Sequence, residues 1–113
     1  MISTLSGENY GAETREGVYL IDFWAPWCGP CRIQSMVLDK VASRFEGNVN
    51  IGKCNVDDEP TLAAKFDVRT IPTMVILRDG QEVGRLVGVQ PEDVLLGKLT
   101  LHVLPALKKG GKA

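Results

Sequence analysis

Apolar residues fall along this chain in short blocks whose spacing changes from block to block, and the spacing predicts the elements. Residues 18–24, Val-Tyr-Leu-Ile-Asp-Phe-Trp, are almost continuously apolar and rich in aromatic and branched side chains. That is the pattern of a central strand covered on both faces. Strands are likewise expected over 49–56 and 73–77. The second of these runs into Asp79-Gly80, a hairpin-type pair, ahead of a further strand over 82–87. Helices are expected over 30–45, 60–66 and 91–104, with a proline at or near each start, where its missing N–H has no helical partner to lose. In the last of them Val94, Leu95, Leu99 and Val103 recur on one side at three- and four-residue steps. A short, weak helix is expected over 8–16. No repeat or linker interrupts the pattern, so one domain is expected over 1–105, followed by a disordered basic, Gly-rich tail over 106–113. Strands alternating with helices, then a hairpin and a closing helix, make an α/β chain with a mixed sheet layered between helices.

The chemistry concentrates between the first strong strand and its helix, in Cys28-Gly29-Pro30-Cys31. A helix start gathers unpaired N–H groups and the positive end of the helix dipole, which favours negative charge there. Cys28 is thereby biased toward thiolate, the reactive form of the side chain. Cys31 lies on the same face of that first turn, within reach of the Cys28 sulfur. A redox dithiol is the direct reading. The pair can instead be half of a zinc site, with Cys54 and His102 as the remaining ligands, or an inert structural disulfide. Against zinc, Cys54 and His102 form no second paired spacing, and no metal is expected. Cys54 reads as a small apolar residue of its strand, and His102 as a structural or surface residue whose positive charge complements the end of the last helix.

Asp22 needs a reason, because a carboxylate in an otherwise apolar strand is expensive to bury. By period two it shares a face with Leu20 and Trp24. Burial raises its pKa and makes it a candidate to hold or accept a proton near neutral pH. An edge position facing water, or a simple ion pair, is the alternative.

Charge and length narrow the partners. The chain has 113 residues, 44% of them hydrophobic, ordinary for a single globular domain with a real core. Thirteen Lys and Arg against fourteen Asp and Glu give a net charge of −1, leaving no broad basic face for nucleic acid or anionic lipid. The first residues, Met-Ile-Ser-Thr-Leu-Ser, lack the charged start and apolar core of a signal peptide, and no apolar run reaches membrane-spanning length. With an odd cysteine count of three, a reducing, cytoplasmic setting is expected.

The run Asp22-Phe23-Trp24-Ala25-Pro26-Trp27-Cys28-Gly29-Pro30-Cys31, with Lys53 in the next strand and Arg69-Thr70-Ile71-Pro72-Thr73 further on, closely resembles the thioredoxin family. The resemblance covers nearly the whole chain and implies the thioredoxin fold, a central mixed parallel and antiparallel sheet with helices on both faces. It implies an active-site loop of Trp27, Gly29 and Pro30 around a redox-active disulfide, Cys28 as nucleophile and Cys31 as resolving thiol. It further implies Asp22 as the acid/base serving Cys31 and Lys53 as its neighbour. Ile71 and a cis Pro72 are implied to border a substrate groove with Trp27, Gly88 and Val89. On residues alone, a core aromatic at Trp27 and a plain turn glycine at Gly88 are the alternatives. The implied activity is reduction of protein disulfides by a monomer, with electrons resupplied by a thioredoxin reductase and no bound cofactor. A disulfide oxidase or isomerase, and a non-enzymatic binding module, are the alternatives on this fold; Gly-Pro between the cysteines favours reduction. One departure stands out. Met36 occupies the place, five residues beyond the inner cysteine, where the family commonly has a helix-kinking proline.

Overall fold

Every residue of the block 18–24 except Trp24 is buried, and the block forms the strand through the middle of a five-stranded sheet. The computed structural model describes residues 2–112, with side chains described for 2–103, and the tail expected over 106–113 lies outside the residues described in full. Its elements are β1 (Ile2–Thr4), α1 (Tyr10–Glu13), β2 (Val18–Trp24), α2 (Gly29–Arg44), β3 (Val49–Asn55), α3 (Pro60–Lys65), β4 (Thr73–Arg78), β5 (Gln81–Val87) and α4 (Glu92–Lys112). The strand order is β1-β3-β2-β4-β5. β1, β3 and β2 run parallel, whereas β4 is antiparallel to both β2 and β5. The chain thus has the mixed-sheet α/β architecture expected of it.

Alternation along the strands divides the interior in two. Val18, Leu20, Ile51, Met74 and Ile76 meet Leu38 and Val41 of α2 and Leu95 and Leu99 of α4 on one face of the sheet. Tyr19, Ile21, Phe23, Val75 and Leu77 meet Leu62 and Ala63 of α3, with Tyr10 of α1 packed alongside, on the other. Register enforces this division, because a one-residue slip would exchange the two sets of side chains. Each fully buried Leu contributes about 1.5–3 kcal/mol.

Four details depart from the sequence reading. β1 was not expected; only Ile2 of its three residues is apolar, and the strand exists through parallel pairing with β3, Ile2 opposite Ile51. α1 is one turn rather than the span 8–16, closed by the Thr14 hydroxyl donating to the Tyr10 carbonyl at 2.8 Å. Val94 lies at the margin of the α4 stripe and stays 38% exposed, while Leu95 and Leu99 carry the contact. The His102 carbonyl accepts from Arg78 at 3.1 Å. Burial, then the Lys98 and Arg78 charges, lowers the His102 pKa, so the cationic form expected to complement the helix end is disfavoured.

Two backbone positions require their residues. The β4–β5 hairpin turns on Asp79 and Gly80, with φ of 50° and 83°, and the Asp79 carboxylate accepts the Gly17 N–H at 2.8 Å. In β3, a Cβ on Gly52 would collide with the Tyr19 hydroxyl and lie 2.7 Å from Leu5 Cγ, so only glycine fits beneath that ring.

Candidate active site

β2 ends at Trp24 on the edge of the core, and the chain turns through Ala25, Pro26 and Trp27 before α2 starts at Gly29. Cys28 is the residue capping that start. Its backbone is extended (φ −91°, ψ 106°), its Sγ accepts the Cys31 N–H at 3.2 Å, and Pro30 occupies the first turn, where no N–H is needed. Cys28 and Cys31 are joined as a disulfide, their Cα atoms 5.3 Å apart. With Ala25 they form a small buried cluster against which Trp24, Val56 and Ile71 pack. The Ile71–Pro72 bond is cis.

Trp27 stands 68% exposed beside the pair, its indole N–H donating to the Asp57 carboxylate at 2.9 Å, so it is not a core aromatic. Gly88 has φ 87° and donates its N–H to the Pro72 carbonyl at 2.8 Å, which ties the loop after β5 to the Ile71–Pro72 segment. Val89 follows, 41% exposed. Ile71 thus packs on the disulfide and Gly88 bonds Pro72, while Trp27 directly precedes Cys28 and Val89 directly follows Gly88 in the chain. Gly29 and Pro30 lie on the exposed side of the helix start.

On the inner side, a cleft of about 230 Å³ is lined by Trp24, Cys31, Arg32, Ser35, Met36 and Lys53, among others. Asp22 sits behind it, fully buried in β2 directly opposite Lys53 of β3. Burial pushes its carboxyl up to about 6, and the Lys53 ammonium pulls only partly in the other direction. The edge-strand reading of Asp22 fails because β2 is the middle strand and Asp22 is fully buried, and the simple ion-pair reading fails because Lys53 Nζ is engaged elsewhere. It donates to Ser35 Oγ at 2.6 Å and lies 4.9 Å from the centre of the Trp24 ring. Ser35, Asp57 and the buried Gln34 were missed from sequence. Gln34 alone left a signal there, as a polar side chain in the helical stripe Cys31, Gln34, Leu38, Val41 that α2 turns inward.

The third cysteine and the lone histidine stay apart from the pair. Cys54 is fully buried in the cluster on the α3 face of the sheet, and His102 packs against β5 beside Gly84. Among the described residues no group of three or more His, Cys, Asp or Glu side chains is placed to hold a metal, and no helix is long and apolar enough to cross a membrane. α2 runs unbroken past Met36, whose side chain is 68% exposed at the cleft.

A disulfide capping a helix, set at the end of a central strand with a buried carboxylate behind it, defines a thiol–disulfide oxidoreductase. The chain belongs to the thioredoxin family, whose model, described as Thioredoxin, matches residues 1–100. Proteins named thioredoxin from Staphylococcus aureus and from Staphylococcus saprophyticus are each 40% identical to it over 102 residues, 90% of this chain and 98% of theirs. Its activity is the reduction of disulfides in protein substrates by dithiol–disulfide exchange.

Proposed function

We propose that Cys28 is the attacking and Cys31 the resolving thiol of this reductase, in a domain spanning 1–105. The observation that carries the assignment is the position of Cys28 as the cap of α2, where its sulfur accepts the Cys31 N–H. Negative charge on Cys28 is favoured by that hydrogen bond and by the helix dipole. In the reduced protein the Cys28 thiolate attacks one sulfur of a substrate disulfide, forming a mixed disulfide and releasing the other sulfur as a thiolate that takes up a proton. Cys31 then loses its proton and attacks Cys28, which reforms the protein disulfide and releases the second substrate thiol. Two electrons have moved from the dithiol to the substrate.

Asp22 accepts the Cys31 proton, a role supported by a carboxyl whose pKa is raised to about 6 on the α2 face of the sheet. Lys53, lining the cleft, stabilises the resulting carboxylate. Trp27, Ile71, Pro72, Gly88 and Val89 border the groove in which an extended substrate segment lies, pairing with the Ile71 backbone. A thioredoxin reductase returns the electrons, and the protein works as a cytoplasmic monomer, consistent with the buried, unpaired third thiol.

The thiol assignment is tested by substitution. Cys28→Ser should abolish reduction of insulin by dithiothreitol-driven turnover. Cys31→Ser should still attack and should accumulate a mixed disulfide visible as an added mass on non-reducing gels. A Cys28→Ser variant that still reduces insulin would sink the assignment.

A further inference from the structure

Gln34 is fully buried, yet it occupies one position of the stripe Cys31, Gln34, Leu38, Val41 by which α2 faces the interior. An apolar side chain is the cheaper occupant of such a position, because a buried amide costs free energy unless its donor and acceptor are both used. Both ends of this amide are spent on one residue. Its Oε1 accepts the Gln90 N–H at 2.6 Å and its Nε2 donates to the Gln90 carbonyl at 3.1 Å. The side chain thus pairs with the Gln90 backbone as a neighbouring strand would.

The consequence reaches the loop between β5 and α4. Two residues earlier, Gly88 donates to the Pro72 carbonyl at 2.8 Å, and the Gln90 side chain reaches back to the Val87 carbonyl at 3.1 Å. Val89 is left as the exposed residue between two fixed points, Pro72 on one side and the dithiol helix on the other. Gln34 follows Cys31 by one helical turn, so its hold on Gln90 ties the placement of Gly88 and Val89 to the sulfurs themselves.

We infer that Gln34 is a positioning residue that clamps the loop 88–90 to α2 and so sets the shape of the groove for protein substrates, without acting on the sulfur chemistry. The inference rests on the groove reading proposed above. A loop released from the clamp samples other positions, and a substrate segment must reorder it on binding, which weakens apparent affinity by the fraction of time the competent arrangement is lost. A small disulfide that touches only Cys28 needs no groove and feels no loss.

The test uses Gln34→Met, which keeps the length of the side chain but neither hydrogen bond, and Gln34→Leu as a second apolar filler in case either variant folds poorly. Val89→Glu alters the groove wall directly. The clamp predicts that KM for insulin, with dithiothreitol as reductant, rises about fivefold or more in both Gln34 variants, the equivalent of one lost hydrogen bond. In the same proteins kcat and the rate of reaction with dithionitrobenzoate stay within about twofold, and the Gln90 amide exchanges faster with solvent. Unchanged KM in the Gln34 variants together with a raised KM in Val89→Glu overturns the clamp and leaves the groove standing. Unchanged KM in all three variants removes the groove and the clamp with it. An equal loss with insulin and with dithionitrobenzoate places the effect on the dithiol and overturns the inference.

Discussion

Asp22 was legible in the sequence because a carboxylate stands out in an apolar block, and the fold places it fully buried in the central strand opposite Lys53. Its pKa rises from an ordinary 3.8 to about 6, so the folded chain binds the proton more tightly than the unfolded one. Stability is therefore lost as pH climbs from the lower value through the higher, and the loss is complete above it. A rise of this size corresponds to about 3 kcal/mol. Asp22→Asn should accordingly gain about that much relative to the parent when denaturant melts at pH 8 are compared with melts at pH 4. Single-turnover kinetics should show release of the mixed disulfide slowed roughly tenfold or more near neutral pH, while the first attack by Cys28 is unaffected. An Asn variant with the same pH dependence of stability as the parent and equally fast release would make Asp22 an ordinary structural carboxylate. The Lys53–Ser35 bond beside it was not legible, since nothing in sequence brings a residue of the second turn of α2 against the middle of β3.

At the scale of elements, the sequence carried most where one residue type left no choice. The near-continuous apolar block became β2, Asp79-Gly80 became the hairpin, and the prolines at 30 and 60 fell in first helical turns. It carried least where an element owes its existence to a neighbour. β1 is three residues long and is a strand because β3 offers it hydrogen bonds, and Gln34 is intelligible only once Gln90 lies across from it. Gly52 belongs to the same group. In sequence it is a glycine in a strand, a mild weakness; in the fold it is the gap into which the Tyr19 hydroxyl and Leu5 pack. Gly52→Ala should destabilise the protein by about 1–3 kcal/mol, because Leu5 and Tyr19 are both fully buried and neither can withdraw without displacing the α3 side of the core. The midpoint of urea unfolding would read this directly, and an unchanged midpoint would mean that the strand gives way at little cost.

For the molecule as a whole, burial divides its three cysteines into two chemical environments. Cys28 and Cys31 sit at the mouth of the α2 helix, while Cys54 is enclosed on the α3 face, where burial, with Glu59 and Asp22 adding to it, pushes its thiol up to about 12. At pH 7 its thiolate is on the order of one part in a hundred thousand. Brief alkylation of the reduced, folded protein at pH 7 should therefore fall on Cys28 and leave Cys54 unlabelled, whereas alkylation in denaturant adds three labels; a label on Cys54 in the folded protein would show that the core opens to reagent. A mixed disulfide held on Cys28 then has one intramolecular way out, through Cys31, and no competing thiol to which it can be misdirected. The enclosure of Cys54 leaves the chain with an even count of accessible sulfurs, so that on the reading proposed here its exchange chemistry proceeds in pairs.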